Sequence, residues 1–191
     1  HLEFLLPKPS KIRQVRHHKS IPYQELPELY SDISKSSAVS AYTLRFLILT
    51  AGRTGEVVGA RWNEFSDDTW VLAASRMKAR REHRVPLSTE ARKMLMVQNE
   101  AASGDYVFHR NGRCLSNMAM LQFLKRISPN ATVHGFRSSF RVWAAEVSGF
   151  SSDLAEQALA HSVGSQLERA YQRSDLLEQR RGLMEAWGQY I

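Results

Sequence analysis

Apolar positions recur along this chain in two rhythms, and most elements can be read from where one gives way to the other. The firmest stretch is T-V-H-G-F-R-S-S-F-R-V-W, residues 132–143. Phe136, Phe140 and Trp143 fall at i, i+4 and i+7, so they share one stripe of a 3.6-residue period and should face a core. Thr132 is placed to cap the helix start, and Gly135 leaves that start open to close approach. Upstream, Ser40 to Leu49 reads as a helix, largely buried through Tyr42, Leu44, Phe46, Leu47 and Leu49. It stops at A-G-R-T-G (51–55), where two glycines around Arg53 predict a C-cap and then a new N-cap at Thr54. Trp70–Leu72 and Arg84–Leu87 predict short strands, with Ser75–Lys78 a third candidate. Pro86 has no N–H to give to a ladder, which assigns its strand to an edge. Helices are expected over 88–98, with Ala91, Met94, Leu95 and Val97 inward, and over 117–127, through Met118, Leu121, Phe123 and Leu124. Residues 103–113 read as a loop between them. Farther on, 153–159 is helical and stops at His161. Ser165-Gln166-Leu167-Glu168 is a capping box opening a short helix that carries Tyr171. Ser174-Asp175 breaks it before a last helix with Leu176, Leu183, Met184, Trp187 and Ile191 on one stripe. The fold class expected is α+β: mostly α-helical, with a small antiparallel β-sheet or hairpin.

Composition adds little until charge is considered. A chain of 191 residues can bury a real core, and 43% hydrophobic with 24% charged residues is ordinary for a globular protein. The 26 Lys+Arg against 19 Asp+Glu leave +7, which predicts a polyanionic partner, nucleic acid first. The surplus gathers in two places. Residues 1–22, with Pro7, Pro9, Lys8, Lys11, Arg13, Arg16 and Lys19, read as an extended basic linker from a preceding DNA-binding domain. Residues 76–84, R-M-K-A-R-R-E-H-R, set five Lys/Arg against one acid between two strands; such a hairpin tip suits a DNA groove. No apolar run of 18 residues predicts a membrane span. Cys114 is the one cysteine, which excludes a disulfide framework or thiolate metal cluster and predicts a reducing compartment. The acids are scattered, with Asp67-Asp68 in a turn as the adjacent pair, so a carboxylate site for two metals is not expected.

Arg53, Lys78, His134, Arg137, His161 and Tyr171 stand at element junctions. Each alone has an ordinary reading, such as a surface arginine at a capped turn or a tyrosine packed beside Leu167. In this order and spacing they resemble the catalytic set of the tyrosine recombinases, and the chain is similar to the C-terminal catalytic domain of bacteriophage and genomic-island integrases. The matching stretches are T-A-G-R-T-G-E around Arg53, R-M-K-A-R-R-E-H-R-V-P-L-S around Lys78, H-G-F-R with His134 and Arg137, and L-A-H-S with His161 followed ten residues later by Tyr171 in A-Y-Q-R-S-D. The resemblance covers residues 20–191 and implies the DNA breaking–rejoining fold over 23–191. It implies a site-specific recombinase that integrates or excises a mobile element, such as a prophage or viral genome, through a covalent 3′-phosphotyrosyl DNA intermediate. No metal, cofactor or ATP is expected. The implied partners are double-stranded attachment sites and further protomers, four in a synaptic complex, with the fragment alone monomeric. The implied location is the cytoplasm of a bacterial host, on DNA. A type IB topoisomerase and a non-catalytic basic DNA-binding module are the alternatives.

The chemistry accounts for the residue types. A phenol with a pKa near 10 is ionised about once in 10³ at pH 7, a cost of roughly 4 kcal/mol. Cationic neighbours or a base must offset that cost if Tyr171 is to attack a phosphodiester. Arg53 and Arg137 would clamp the non-bridging oxygens as negative charge grows there. His134 and His161 could donate to the phosphate or accept the phenolic proton. Lys78 would protonate the leaving 5′ oxygen, and Glu56, three residues after Arg53, is placed to brace that arginine.

Overall fold

The computed structural model describes residues 20–100, 104–161 and 174–191. Tyr171, the capping box at 165–168 and most of the basic opening segment lie outside the described residues.

Helix α1 (Leu26–Ser34) opens on Pro27, whose missing N–H costs nothing in a first turn. Leu26 and Ile33 bury one side of it, with Leu29 and Tyr30 packed alongside. The pattern of apolar positions had not pointed to this helix. Helix α2 (Val39–Thr50) is buried along nearly its whole length, from Ala41 to Thr50, and forms the axle of the molecule. It contacts α1, α3 (Thr54–Val58), α4 (Thr89–Glu100), α5 (Ala119–Ile127) and α8 (Leu177–Tyr190). Between α3 and α4 lies a three-stranded antiparallel sheet in the order β1 (Phe65–Ser66), β2 (Thr69–Leu72), β3 (His83–Pro86). Its register pairs Trp70 with Val85 and Thr69 with Pro86. Pro86 therefore ends an edge strand, as its chemistry required.

Two aromatic clusters pin the sheet and the last helix to opposite parts of α2. Phe46, Phe65, Trp70 and Phe108 pack together, with the Phe65 and Trp70 rings stacked at 5.7 Å. Phe140, Trp143, Trp187 and Tyr190 form the second, and the Trp187 indole N–H donates to the Ile48 carbonyl of α2 at 2.8 Å. Helix α8 thus packs on its own body, against β3, α4, α2 and α7 (Ser152–Ala158).

Four expectations need correction. Residues 75–78 form no strand: Ala74–Arg76 is a 3-10 turn, because Arg76 reaches back to the Glu64 carboxylate and, at 2.7 Å, to the Glu56 carbonyl. The 103–113 region is not all loop. It holds a second hairpin, β4 (His109–Arg110) and β5 (Arg113–Cys114), joined by Asn111 and Gly112 with φ 53° and 74°. Positive φ at both central residues is the mark of a type I′ turn, but strands of two polar residues leave no alternation to read. Val97 and Met118 are exposed instead of inward. On α5 the buried pair is Met120 and Leu124, one turn apart, with Met118 outside the helix as its N-cap.

Helix α6 runs Gly135–Glu146 and buries Phe136, Phe140 and Trp143, the expected stripe. It begins later than the stretch predicted. The Thr132 hydroxyl still receives the Gly135 N–H at 3.1 Å, and His134 occupies the N-cap position.

Candidate active site

The site is built on two helix ends that finish in the same way. At the end of α2, Ala51 turns left-handed (φ 49°), its N–H bonds Ile48, and the Gly52 N–H bonds the Leu47 carbonyl. At the end of α7, Ala160 turns left-handed (φ 50°), its N–H bonds Gln157, and the His161 N–H bonds the Glu156 carbonyl at 2.9 Å. Both are Schellman endings with alanine where glycine is usual. The expected C-cap glycine, Gly52, has another function: a Cβ there would stand 2.8 Å from Val57 Cγ2, so the turn closes onto α3 only with glycine.

A helix end concentrates unpaired carbonyls and partial negative charge, and cations settle there. Arg137, only 4% exposed, donates from α6 to the Ala51 carbonyl and, at 2.6 Å, to the Leu159 carbonyl, so it joins the two endings. The N-cap of α3 is Arg53 and not the expected Thr54, because the Arg53 N–H already bonds Glu56 in the first turn; its guanidinium donates to the Leu159 and Ala160 carbonyls, each at 3.3 Å. The two guanidinium groups therefore share one acceptor, the Leu159 carbonyl, although 84 positions separate them in sequence (137 minus 53). Buried Glu56 accepts from the Arg53 guanidinium at 2.7 Å and from its backbone N–H at 2.9 Å. It is the brace the sequence suggested. Burial first, and the charge of Arg53 second, lower the Arg137 pKa to about 10, which leaves it cationic at neutral pH.

His161 joins this pair. Its Nε2 lies 3.2 Å from Arg137 Nη2 and its ring remains partly exposed. His134 stands exposed at the start of α6, one helical turn before Arg137. Lys78 lies exposed in the turn that leads from β2 to β3. The structure thus brings Arg53, Arg137 and His161 together, places His134 on the same helix start as Arg137, and puts Lys78 on the hairpin; Tyr171 is outside the described residues.

The hairpin's charge is less available than a count suggests. Arg76 is engaged with Glu64 and Glu56, and Arg84 holds Asp175 through two bonds, at 2.6 and 2.8 Å. Lys78, Arg80 and Arg81 are left exposed at the tip. Arg180, 1% exposed, completes the β3 anchor by bonding the Arg84 carbonyl and the Asp175 carboxylate.

Several contributors gave no signal in the sequence. The carbonyls of Ala51, Leu159 and Ala160 belong to the backbone and follow from the turns alone. His83, on β3, hydrogen-bonds the Ala158 carbonyl, and burial followed by the Arg180 charge lowers its pKa to about 4, so it is neutral. Glu156 receives Arg141 on one oxygen and lies 2.6 Å from His161 Nδ1 on the other. A carboxylate five residues before a histidine is suggestive only once a Schellman ending is known to fold i back over i+5.

The chain is 37% identical over 190 residues to the prophage integrase IntZ of Escherichia coli K12, and 32% identical over 188 residues to the prophage integrase IntA of the same strain. These alignments cover 95% and 93% of the chain but 47% and 45% of the relatives, so it spans about half their length. Among solved structures it superposes on a lambda integrase dimer bound to a COC′ core site with TM-score 0.63 and 18% identity, over 87% of this chain and 64% of that one. It matches the lambda integrase catalytic core with TM-score 0.60 and 17% identity, over 77% of this chain and 94% of that one. At such identity the likeness shows the fold. The family model for the phage integrases matches residues 19–177, from just before α1 to the start of α8, and the chain belongs to that family.

Proposed function

We propose that the chain is the catalytic part of a tyrosine-type site-specific DNA recombinase that integrates or excises a mobile element. The observation that carries this reading is the pair of guanidinium groups, Arg53 and Arg137, meeting at the Leu159 carbonyl with His161 beside them. Two forked cations held by helix-end carbonyls and one buried carboxylate make a slot for a dianionic, trigonal-bipyramidal phosphorus.

In this reading the Tyr171 oxygen attacks the scissile phosphorus while Arg53 and Arg137 hold the non-bridging oxygens. The phenolic proton passes to a neighbouring base, and His134 and His161 are the two imidazoles available. The P–O5′ bond breaks and the 5′ oxygen takes a proton from Lys78. The products are a 3′-phosphotyrosyl link and a free 5′ hydroxyl. The ester bond is exchanged and not hydrolysed, so attack by another 5′ hydroxyl rejoins DNA with no energy source. Solved neighbours include a lambda integrase tetramer on a Holliday junction, which supports four protomers on two duplexes as the working assembly here. No helix among the described residues is long and apolar enough to cross a membrane, and the bacterial cytoplasm is where such a reaction would take place.

The test is a nicked suicide duplex, which loses a short strand after cleavage and cannot reverse. The wild-type chain is expected to form a covalent protein–DNA adduct, and Tyr171→Phe to form none. An adduct that survives Tyr171→Phe refutes the nucleophile. Robust relaxation of supercoiled DNA by monomers would favour a topoisomerase instead.

A further inference from the structure

We infer that Glu156 is a positioning residue for His161, fixing the ring and its tautomer so that Nε2 is the face turned toward the arginine pair. The inference rests on the proposed recombinase reading for its consequence, but its geometry stands alone.

The His161 ring meets two partners of opposite character. Its Nδ1 lies 2.6 Å from Glu156 Oε2, and its Nε2 lies 3.2 Å from Arg137 Nη2. An ionised carboxylate has no proton to give, and a guanidinium has no lone pair to offer. A neutral imidazole satisfies both neighbours in one tautomer: Nδ1 carries the hydrogen and donates it to Glu156, and the Nε2 lone pair receives the Arg137 N–H. The reverse tautomer would set N–H against N–H and lone pair against carboxylate.

Glu156 is itself held. Its second oxygen receives Arg141 Nε, and Arg141 lies one turn beyond Arg137 on α6. Burial works against its ionisation, but the bonds from Arg141 and His161 outweigh it and keep the carboxyl below the usual carboxylate range. The Schellman ending adds a main-chain bond from the His161 N–H to the Glu156 carbonyl, so the two residues are tied by backbone and by side chain. This is the logic by which a carboxylate orients a catalytic histidine on other folds. In the neutral ring the Nε2 lone pair stays on the Arg137 N–H, and a protonated ring would donate from Nε2 to a phosphate oxygen held by the arginines, with Glu156 behind it in either state.

Two measurements test this. The ring nitrogens of His161, assigned by their loss in His161→Phe, are read by ¹⁵N NMR at a pH where the ring is neutral. Nδ1 is expected to be the protonated nitrogen, and Glu156→Ala to abolish that preference. A dominant Nε2–H tautomer, or one unchanged by Glu156→Ala, overturns the assignment. Adduct formation is then followed on a pool of nicked duplexes with randomised cores, which needs no knowledge of the attachment sequence. Glu156→Ala is expected to slow the chemical step roughly 10–100-fold with DNA affinity unchanged, and Glu156→Gln, which keeps an acceptor, to recover part of that rate. In a His161→Phe background, Glu156→Ala should add nothing. An equal loss in both backgrounds would mean that Glu156 acts on the fold and not through His161, and would overturn the proposal. Absence of any wild-type adduct would remove the recombinase reading, while the ring tautomer would still decide the Glu156 contact.

Discussion

Arg137 is the residue whose replacement should be felt in two ways at once. It donates to two helix endings from a position 4% exposed, and its Nε has no partner among the described residues. Lysine carries the charge but not the fork, so Arg137→Lys loses the fixed geometry that joins the Ala51 and Leu159 carbonyls. We expect about 2–4 kcal/mol of lost stability in thermal or urea unfolding, and adduct formation reduced on the order of 10²–10³-fold. Gly52 offers a cleaner structural test. Its backbone φ is ordinary, so the cost of Gly52→Ala comes from the Cβ 2.8 Å from Val57 Cγ2 and 3.2 Å from Thr50 Oγ1. About 1–3 kcal/mol of destabilisation is expected by unfolding, and a neutral substitution would mean that α3 can slide away from the turn. At this scale the sequence was informative about side chains and silent about backbone. Arg53, His134, Arg137 and His161 could be named because their order and spacing resemble the tyrosine recombinase set, and Glu56 because it follows Arg53 by three residues. The left-handed turns at Ala51 and Ala160 could not, since alanine is no marker of positive φ.

Among the elements, β3 carries more of the site's support than its four residues suggest. His83 faces the Ala158 carbonyl at the end of α7, Arg84 holds Asp175, and the Arg84 carbonyl takes Arg180. Between them these contacts connect the hairpin that bears Lys78 to the turn that bears His161, and to the chain leading into α8. The sign of the His83 contribution follows from its lowered pKa, against Arg180 and Arg53 and in spite of Glu56. A folded-state value near 4 lies below the unfolded value near 6.5, so the unfolded chain binds the proton more tightly between those limits. The stability is fully present above pH 6.5 and is lost as pH falls through 4, on the order of 3 kcal/mol in all. His83→Gln should therefore flatten the acid limb of a melting-temperature profile in that window, and an unchanged limb would place the titration elsewhere. The expected strand at Arg84–Leu87 lies one residue later than the observed β3, with Val85 the apolar signal they share. It misjudged residues 75–78, because the bonds from Arg76 to Glu64 and Glu56 that turn the chain there are tertiary.

For the whole molecule the +7 charge is divided between fold and surface. Arg76, Arg84, Arg137 and Arg180 are engaged by carboxylates or carbonyls of the fold, which leaves Lys78, Arg80 and Arg81 as the exposed bases of the first hairpin tip. If the proposed reading holds, these tip bases and the Arg53–Arg137 pair would make on the order of five phosphate contacts, each releasing condensed counterions from the duplex. We expect weak DNA binding by this chain, with a slope of log affinity against log salt of roughly −4 to −5. Tight, sequence-selective binding at physiological ionic strength would contradict that expectation. The mostly helical class and the first antiparallel sheet were legible in the sequence, whereas the second hairpin was not, and the convergence of residues 53, 137 and 161 is a product of topology that no single window contains. That convergence has a practical consequence for anyone who needs an inactive stand-in, for instance to freeze a complex with uncut DNA. The two arginines stitch helix ends together, so in the proposed reaction deleting either one would remove a fastener along with a phosphate-binding charge. An inactive variant with an undisturbed body is better sought at Lys78, which stands exposed on the hairpin.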